Sequence, residues 1–240
     1  MAARPILGLV SSLLMLALAA GPASAATAPD VQCNSELNAV TVRDVTVPIG
    51  GNCTLRNSLV TGHVFAWDGS YFQATHTRIM GDVVGSAAQT VYLERGSSVR
   101  GSIRASRVVQ VFLFSTHVRG DVKVKRTTDQ VFICGSTVEL GNVQIVHSAR
   151  NIMVGGPRWS GCDGNSIRWG DMSVRWNRTD VQLVVKGNRF PRGNLVVSGN
   201  SGPSDKLVQG NSGGRHIACR ANAGKFRGSR NHRWKSGGCG

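Results

Sequence analysis

Acidic side chains are scarce in this sequence. Only 13 Asp and Glu residues stand against 28 Lys and Arg residues, and no two acidic residues are adjacent. Hydrolysis of a polysaccharide requires a pair of carboxylates, and a calcium site requires several oxygen ligands. We therefore expect no catalytic residue, no metal site and no cofactor in this chain.

Several chemical motifs are also missing from the sequence. It has no H-E-x-x-H helix, no G-x-S-x-G elbow, no phosphate-binding loop and no dinucleotide fingerprint. No two cysteines have the short spacing that is typical of zinc sites. No nucleic-acid motif is present, and the few aromatic residues form no stacking platform, so we expect no dedicated nucleic-acid site.

Long apolar runs are absent after the N-terminus. Residues 6–20 form the one such run, Arg4 precedes it, and Ala23-Ser24-Ala25 is a small-x-small cleavage site. This pattern predicts a secretory signal peptide over residues 1–25. We expect no transmembrane segment in the mature chain and a secreted protein, extracellular or associated with the cell wall.

Glycine is abundant and lies in a repeated phrase. The copies are Val60-Thr-Gly62-His-Val64, Ile79-Met-Gly81-Asp-Val83, Val99-Arg-Gly101-Ser-Ile103, Val118-Arg-Gly120-Asp-Val122 and a slipped copy at Leu140-Gly141-Asn-Val143. A period of about 20 residues is typical of a solenoid.

Two kinds of strand follow from the repeat. The phrase alternates apolar and polar residues, which predicts a strand with one buried face. A second apolar segment recurs out of phase, as Val91-Tyr-Leu93, Val111-Phe-Leu113 and Val131-Phe-Ile133. Because so short a unit buries its apolar face only by stacking, we predict an all-β parallel β-helix of about eight coils. The phrase glycine is interpreted as a corner or close approach.

The chain divides into four predicted regions. Residues 1–25 are the signal peptide, 26–56 an N-terminal cap, 57–212 the β-helix coils and 213–240 a basic, glycine-rich C-terminal cap. The wider spacing between Gly141 and Gly170 predicts an insertion near residues 155–166. Recurring Asn residues, including Asn188, Asn200 and Asn211, predict tight turns and a hydrogen-bonded ladder along the rod.

Six cysteines in an exported chain suggest three disulfides, among 15 possible pairings. The spacings favour Cys33–Cys53, Cys134–Cys162 and Cys219–Cys239. The first and last pairs are each 20 residues apart, about one coil, and would close the two ends of the rod.

The formal net charge of +15 is partly ordered by the repeat. Arg100, Arg119, Arg168 and Arg192 occupy the outward position of the phrase, and Arg104 and Lys123 the next outward position. Stacked coils would align them into basic columns that attract a polyanion. The candidate binding residues are Arg100, Arg104, Arg119, Lys123 and Arg168. A solvated basic face explains the same pattern without a ligand.

Two other groups invite a functional interpretation. Asp82, Asp121 and Asp171 recur at one phrase position, and turn residues paired with Arg or Lys explain them better than a catalytic pair. Trp159, Trp169 and Trp176 lie close together in the sequence near the insertion. They are interpreted as core or cap packing, with stacking on sugar rings as the alternative.

The phrase, the opening Val47-Pro-Ile-Gly-Gly-Asn-Cys53 and the closing pattern of Cys, Gly and Asn together resemble a family. The chain, over residues 33–239, is similar to a group of secreted actinobacterial-type proteins built as right-handed parallel β-helices of the pectin-lyase-like class. The resemblance implies the fold, export and disulfide-linked ends. It implies no activity, because members of this group mostly lack an assigned function.

We therefore expect a secreted, non-enzymatic β-helix protein that binds anionic polysaccharide or cell-wall polymer through a basic face. The alternative is a polysaccharide lyase or glycoside hydrolase with an atypical site. Two close carboxylates in a cleft would favour the enzyme, whereas a basic ridge without them would favour the binding protein.

Overall fold

The computed structural model describes residues 28–156, 162–232, 236–237 and 239. The predicted signal peptide lies outside these ranges. The described chain consists of β-strands and winds into a parallel β-helix of about nine coils, about 20 residues apart, with no helix in the described part. The predicted fold class is thereby confirmed.

Each coil contributes strands in turn to three parallel sheets, named A, B and C, and strands are numbered in chain order. Sheet A contains β1 Val31–Gln32, β4 Val45–Val47, β7 Val64–Ala66, β10 Val83–Ser86, β13 Ile103–Ser106, β16 Val122–Lys125, β19 Val143–Val146, β22 Met172–Arg175, β25 Asn194–Ser198, β28 His216–Arg220 and β30 Ser236–Gly237. Sheet B contains β2 Glu36–Asn38, β5 Asn52–Arg56, β8 Tyr71–Thr75, β11 Thr90–Glu94, β14 Gln110–Phe114, β17 Gln130–Cys134, β20 Ala149–Val154, β23 Arg178–Lys186, β26 Lys206–Gln209 and β29 Phe226–Ser229. Sheet C contains β3 Thr41–Val42, β6 Leu59–Val60, β9 Arg78–Ile79, β12 Ser98–Val99, β15 His117–Val118, β18 Thr137–Val138, β21 Ser166–Ile167, β24 Arg189–Phe190 and β27 Ser212–Gly213.

The repeated phrase is not one continuous strand, as its alternation suggested. It begins in sheet C, turns a corner at the glycine and ends in sheet A, so β15 and β16 flank Gly120. The second apolar segment forms sheet B, where Val91, Val111 and Val131 stack in register. A coil therefore has three short strands, and the predicted corner at the glycine is confirmed.

Alternate residues of all three sheets point inward and form one apolar core along the rod. In β14, Val111 and Leu113 are fully buried, whereas Gln110, Phe112 and Phe114 are only partly buried on the outer side. Identical registers repeat from coil to coil, so apolar residues stack on apolar residues. This stacking is the physical basis of the 20-residue period.

Buried polar side chains line the corner between sheets B and C. Asn188 has no exposed surface, accepts the Asn165 N–H at 3.0 Å and donates to the Val154 carbonyl at 2.8 Å. Its side chain also donates to the Asn211 side chain at 2.9 Å. In earlier coils Ser136 fills the same position with hydroxyl bonds. The predicted asparagine ladder is confirmed for Asn188 and Asn211, whereas Asn200 belongs to a second ladder, with Asn177 and Asn222, at the corner between sheets A and B.

All three predicted disulfides are present: Cys33–Cys53, Cys134–Cys162 and Cys219–Cys239. The first and last lie near the two ends of the described rod. The middle disulfide joins Cys134 in β17 to Cys162, which lies near the end of the inserted segment between β20 and β21. This inserted segment accounts for the wider spacing between Gly141 and Gly170.

Candidate functional site

The corner between sheets C and A is formed by stacked glycines. The Gly120 N–H donates to the Gly101 carbonyl at 3.0 Å, and Gly101 donates to Gly81 at 3.0 Å. A Cβ placed on Gly120 would lie only 2.6 Å from the Gly101 oxygen. Glycine is required here because neighbouring coils approach too closely for a side chain.

The residue after each corner glycine accepts a hydrogen bond from the next coil. The Ser102 N–H donates to Asp82 at 2.7 Å, and the Asn142 N–H donates to Asp121 at 2.8 Å. Ser102 lies between the two carboxylates in this ladder, since its hydroxyl accepts the Asp121 N–H at 3.1 Å. The recurring aspartates therefore hold the backbone of the corner.

Arg104 and Lys123, two of the five candidate binding residues, lie on the outer face of sheet A beside this ladder. Arg104 is paired with Asp82, and Lys123 Nζ lies 2.8 Å from Asp121 Oδ2. Partial burial acts to raise the pKa of each carboxyl, but the backbone N–H and the neighbouring cation outweigh it and lower the pKa. Much of the positive charge of Arg104 and Lys123 is thus neutralised.

Arg100, Arg119 and Arg168, the other three candidates, are exposed on the outer side of sheet C. None of them forms an ion pair within the described ranges. Arg119 follows Arg100 by one coil, but Glu139 occupies the next coil and Arg168 the one after. The predicted column is therefore interrupted by one acid.

Arg192 does not continue this column, contrary to the sequence interpretation. From Glu139 onward each coil has one more residue between the buried strand residue and the corner glycine, which shifts Arg192 to the corner. There its guanidinium carbon lies 3.6 Å above the centre of the Trp169 ring. A one-residue change in corner length thus separates residues that the phrase aligned.

Two further arginines on this face escaped the sequence analysis. Arg78 and Arg189 open their sheet C strands, with exposed side chains and no ion pair in the described chain. Both precede the buried residue of the phrase, so alignment of the copies by that residue would have found them. We define the sheet C face as five arginines: Arg78, Arg100, Arg119, Arg168 and Arg189.

An acid and an imidazole lie among these arginines. His117 Nε2 is 3.5 Å from Glu139 Oε2, and both side chains line one shallow groove with Arg78, Arg100 and Arg119. The groove is open. Its chemistry fits an extended anionic chain, because guanidinium groups donate several hydrogen bonds to carboxylate, sulfate or phosphate oxygens.

The predicted tryptophan cluster is not formed by Trp169 and Trp176, and Trp159 lies outside the described residues. Trp169 is 53% exposed at the corner between sheets C and A, and Trp176 is 56% exposed at the corner between A and B. Strand β22, which is roughly 13 Å long at the usual rise per residue, separates them. Core packing is therefore the wrong interpretation of these two residues.

Within the described residues, no group of three or more His, Cys, Asp or Glu side chains is arranged to hold a metal ion. The same part of the chain contains no helix of the length and apolar character needed to cross a membrane.

The fold and the sheet C face define the class of protein: a disulfide-linked parallel β-helix, consistent with a pectin-lyase-like fold, with a row of exposed arginines on one side. Comparison with known proteins goes no further, because no family model, curated protein or solved structure matches this chain.

Proposed function

We propose that this protein is a secreted, non-enzymatic β-helix of the cell surface or exterior that binds anionic polysaccharide or wall polymer along the sheet C face. The observation that supports this proposal is the row of five exposed arginines on one side of the rod, none of which has an ion pair within the described ranges. A disulfide-linked fold is compatible with an extracellular protein.

The spacing of the arginines suits a linear polymer. Coils are separated by about 4.8 Å, so Arg78 and Arg189, five coils apart, span about 24 Å. A chain lying along the rod would meet a guanidinium on nearly every coil. Summed over several contacts, weak exposed ion pairs give useful affinity that falls with added salt.

The experiment uses two double variants that remove the same amount of charge. Arg100→Gln with Arg119→Gln alters the sheet C face, whereas Arg104→Gln with Lys123→Gln alters cations already paired with Asp82 and Asp121. Binding to acidic polysaccharides is measured by co-elution in size exclusion at low and high salt. The sheet C variant should bind roughly tenfold more weakly, at about 0.5–1 kcal/mol per lost contact, and the sheet A variant little changed.

The same elution profiles test the alternative function. If the polymer shortens, the protein is a lyase or hydrolase, and His117 and Glu139 in the sheet C groove are the first residues to replace. Equal weakening in both double variants would show that net charge alone drives binding. Absence of co-elution at low salt would leave the sheet C face as an ordinary solvated surface.

A further inference from the structure

The side chains at the corner between sheets A and B change from small to large and back to small along the rod. Its residues repeat a left-handed backbone conformation from coil to coil, and at the two ends this position is occupied by small residues, Gly50, Gly69, Ala87, Gly199 and Ala221. In the middle coils Arg107, Arg126, His147 and Trp176 adopt the same conformation, with φ between 53° and 58°. Arg95 and Arg230 adopt this conformation at the corner between sheets B and C as well, so the conformation is a feature of the corners in this fold and does not by itself single out the corner between A and B.

The Trp176 ring is held in place by its neighbours. It stacks on the His147 ring with centroids 5.6 Å apart and an angle of 18° between planes. On the other side it passes over Gly199, where an added Cβ would lie 2.6 Å from Trp176 Cδ1. The indole nevertheless remains 56% exposed. Unlike Trp169, which Arg192 covers, Trp176 has no cation above its ring among the described contacts.

Cations without partners border the same ring. Lys125 and Arg126 are exposed, and neither forms an ion pair in the part of the chain that the structure describes. Together with Gln144, His147 and Trp176 they line one open groove. Arg175, adjacent to Trp176, has a buried Nε with no hydrogen-bond acceptor within the described ranges. The groove therefore combines unpaired positive charge, an amide and a fixed apolar ring.

We propose that this groove, the Trp176 corner, is a binding site for an acidic sugar unit. Lys125 and Arg126 would bind the sugar carboxylate, Gln144 would hydrogen-bond a hydroxyl group, and the His147–Trp176 pair would pack against the apolar C–H groups of the ring. This combination favours an acidic sugar over a bare anion, for which the exposed indole would contribute nothing.

The Trp176 corner is independent of the sheet C face. In a coil that passes through sheets A, B and C in turn, the edge between A and B lies opposite sheet C. One straight polymer chain therefore cannot contact both. A protein with both sites would bind two acidic chains at once, whereas the Trp176 corner stands even if the sheet C face binds nothing.

The test follows the indole N–H resonances of the full mature protein by NMR during titration with a hexuronate trisaccharide. The Trp176 resonance is assigned from a Trp176→Phe variant. We expect the trisaccharide to shift this resonance. The double variant Lys125→Gln with Arg126→Gln should lose the shift, and the double variant of the sheet C face should keep it.

Two controls make the result decisive. A neutral hexose trisaccharide should give at least tenfold weaker binding, because it lacks the carboxylate. Inorganic phosphate should not reproduce the shift. The proposal is overturned if the Trp176 resonance stays in place, if phosphate acts like the trisaccharide, or if the shift persists without Lys125 and Arg126.

Discussion

At the scale of single residues, two kinds of glycine occur at the corners for different physical reasons. Gly210 has a φ of +63° and open space where a Cβ would lie, so its backbone conformation alone favours glycine. Gly120 is not in the left-handed region, but a Cβ there would lie 2.6 Å from the Gly101 oxygen. Only the second kind is set by the distance between coils.

This difference predicts unequal effects of alanine. Gly120→Ala should lower the free energy of unfolding by about 2–4 kcal/mol, because two coils must separate to admit the methyl group. Gly210→Ala should cost about 1 kcal/mol, the usual penalty of a left-handed alanine. Urea unfolding of the two purified variants measures both values. Equal losses would show that the close approach between coils is easily relieved.

The two exposed tryptophans show how strongly the position of a single residue depends on the corners of the coil. Proximity in sequence suggested that Trp169 and Trp176 act together, yet a strand of four residues places them at different corners. Because each coil turns three corners, a separation of seven residues moves a side chain from one edge of the rod to the next. Nearness along the chain is therefore a poor guide to nearness in space in this fold.

At the scale of structural elements, the corner after each phrase glycine is held by a ladder of side-chain acceptors. Asp82 and Asp121 fill two of its positions with a carboxylate, Ser102 one with a hydroxyl and Asn142 one with an amide. What these residues share is an oxygen that accepts a backbone N–H from the next coil. The phrase therefore tolerates several polar residues at this position.

The ladder predicts how stability depends on pH. The pKa of Asp121 is lower in the folded protein than its ordinary value, so its contribution is complete above the ordinary pKa and is lost as the pH falls through the folded pKa. Asp121→Asn keeps an acceptor for the Asn142 N–H and loses only the ion pair with Lys123. It should therefore lower stability at pH 7 by up to about 1 kcal/mol, and this difference should shrink as the pH falls through the folded pKa of Asp121.

The control for this prediction is Asp121→Ala, which also removes the acceptor. It should destabilise the protein by a further 1–3 kcal/mol, roughly independent of pH, because the Asn142 N–H is left unpaired. Thermal unfolding between pH 2 and pH 7 compares the three proteins. A constant difference between the wild-type protein and Asp121→Asn across this range would contradict the assignment of the lowered pKa.

At the scale of the whole molecule, the strands of each described coil pair with strands of the coils before and after it. Stability in such an array is approximately a sum of neighbour terms, and the ends are the weakest places. Cys33–Cys53 and Cys219–Cys239 each close a segment near one end of the described rod. Cys134–Cys162 instead closes the segment that contains the insertion between β20 and β21.

Removal of these bonds should therefore act locally. In the chain-entropy model each disulfide contributes about 3 kcal/mol. Replacing Cys219 and Cys239 with Ser should speed amide hydrogen exchange in β28 and β29 and leave β14 and β17 protected. Replacing Cys134 and Cys162 with Ser should instead speed amide hydrogen exchange in the segment between β20 and β21. A uniform loss of protection in either variant would show that the rod unfolds as one unit.

The sequence alone determined the architecture, because a solenoid repeats the same local constraints in every coil. The period of about 20 residues, the two apolar segments and the cysteine spacings predicted a parallel β-helix, its asparagine ladder and its three disulfides. These features depend on register, and register follows directly from residue spacing. The number of corners did not follow, since a strand that bends at glycine keeps the alternation of a straight one.

Only the tertiary structure decided which charges are available for binding. The phrase placed six cations outward. Pairing with Asp82 and Asp121 then neutralised much of the charge of Arg104 and Lys123, and Glu139 interrupted the column of Arg100, Arg119 and Arg168. One extra corner residue then displaced Arg192 onto Trp169. Charge pairing and side-chain stacking depend on distances of a few ångströms between coils, and sequence spacing does not specify such distances.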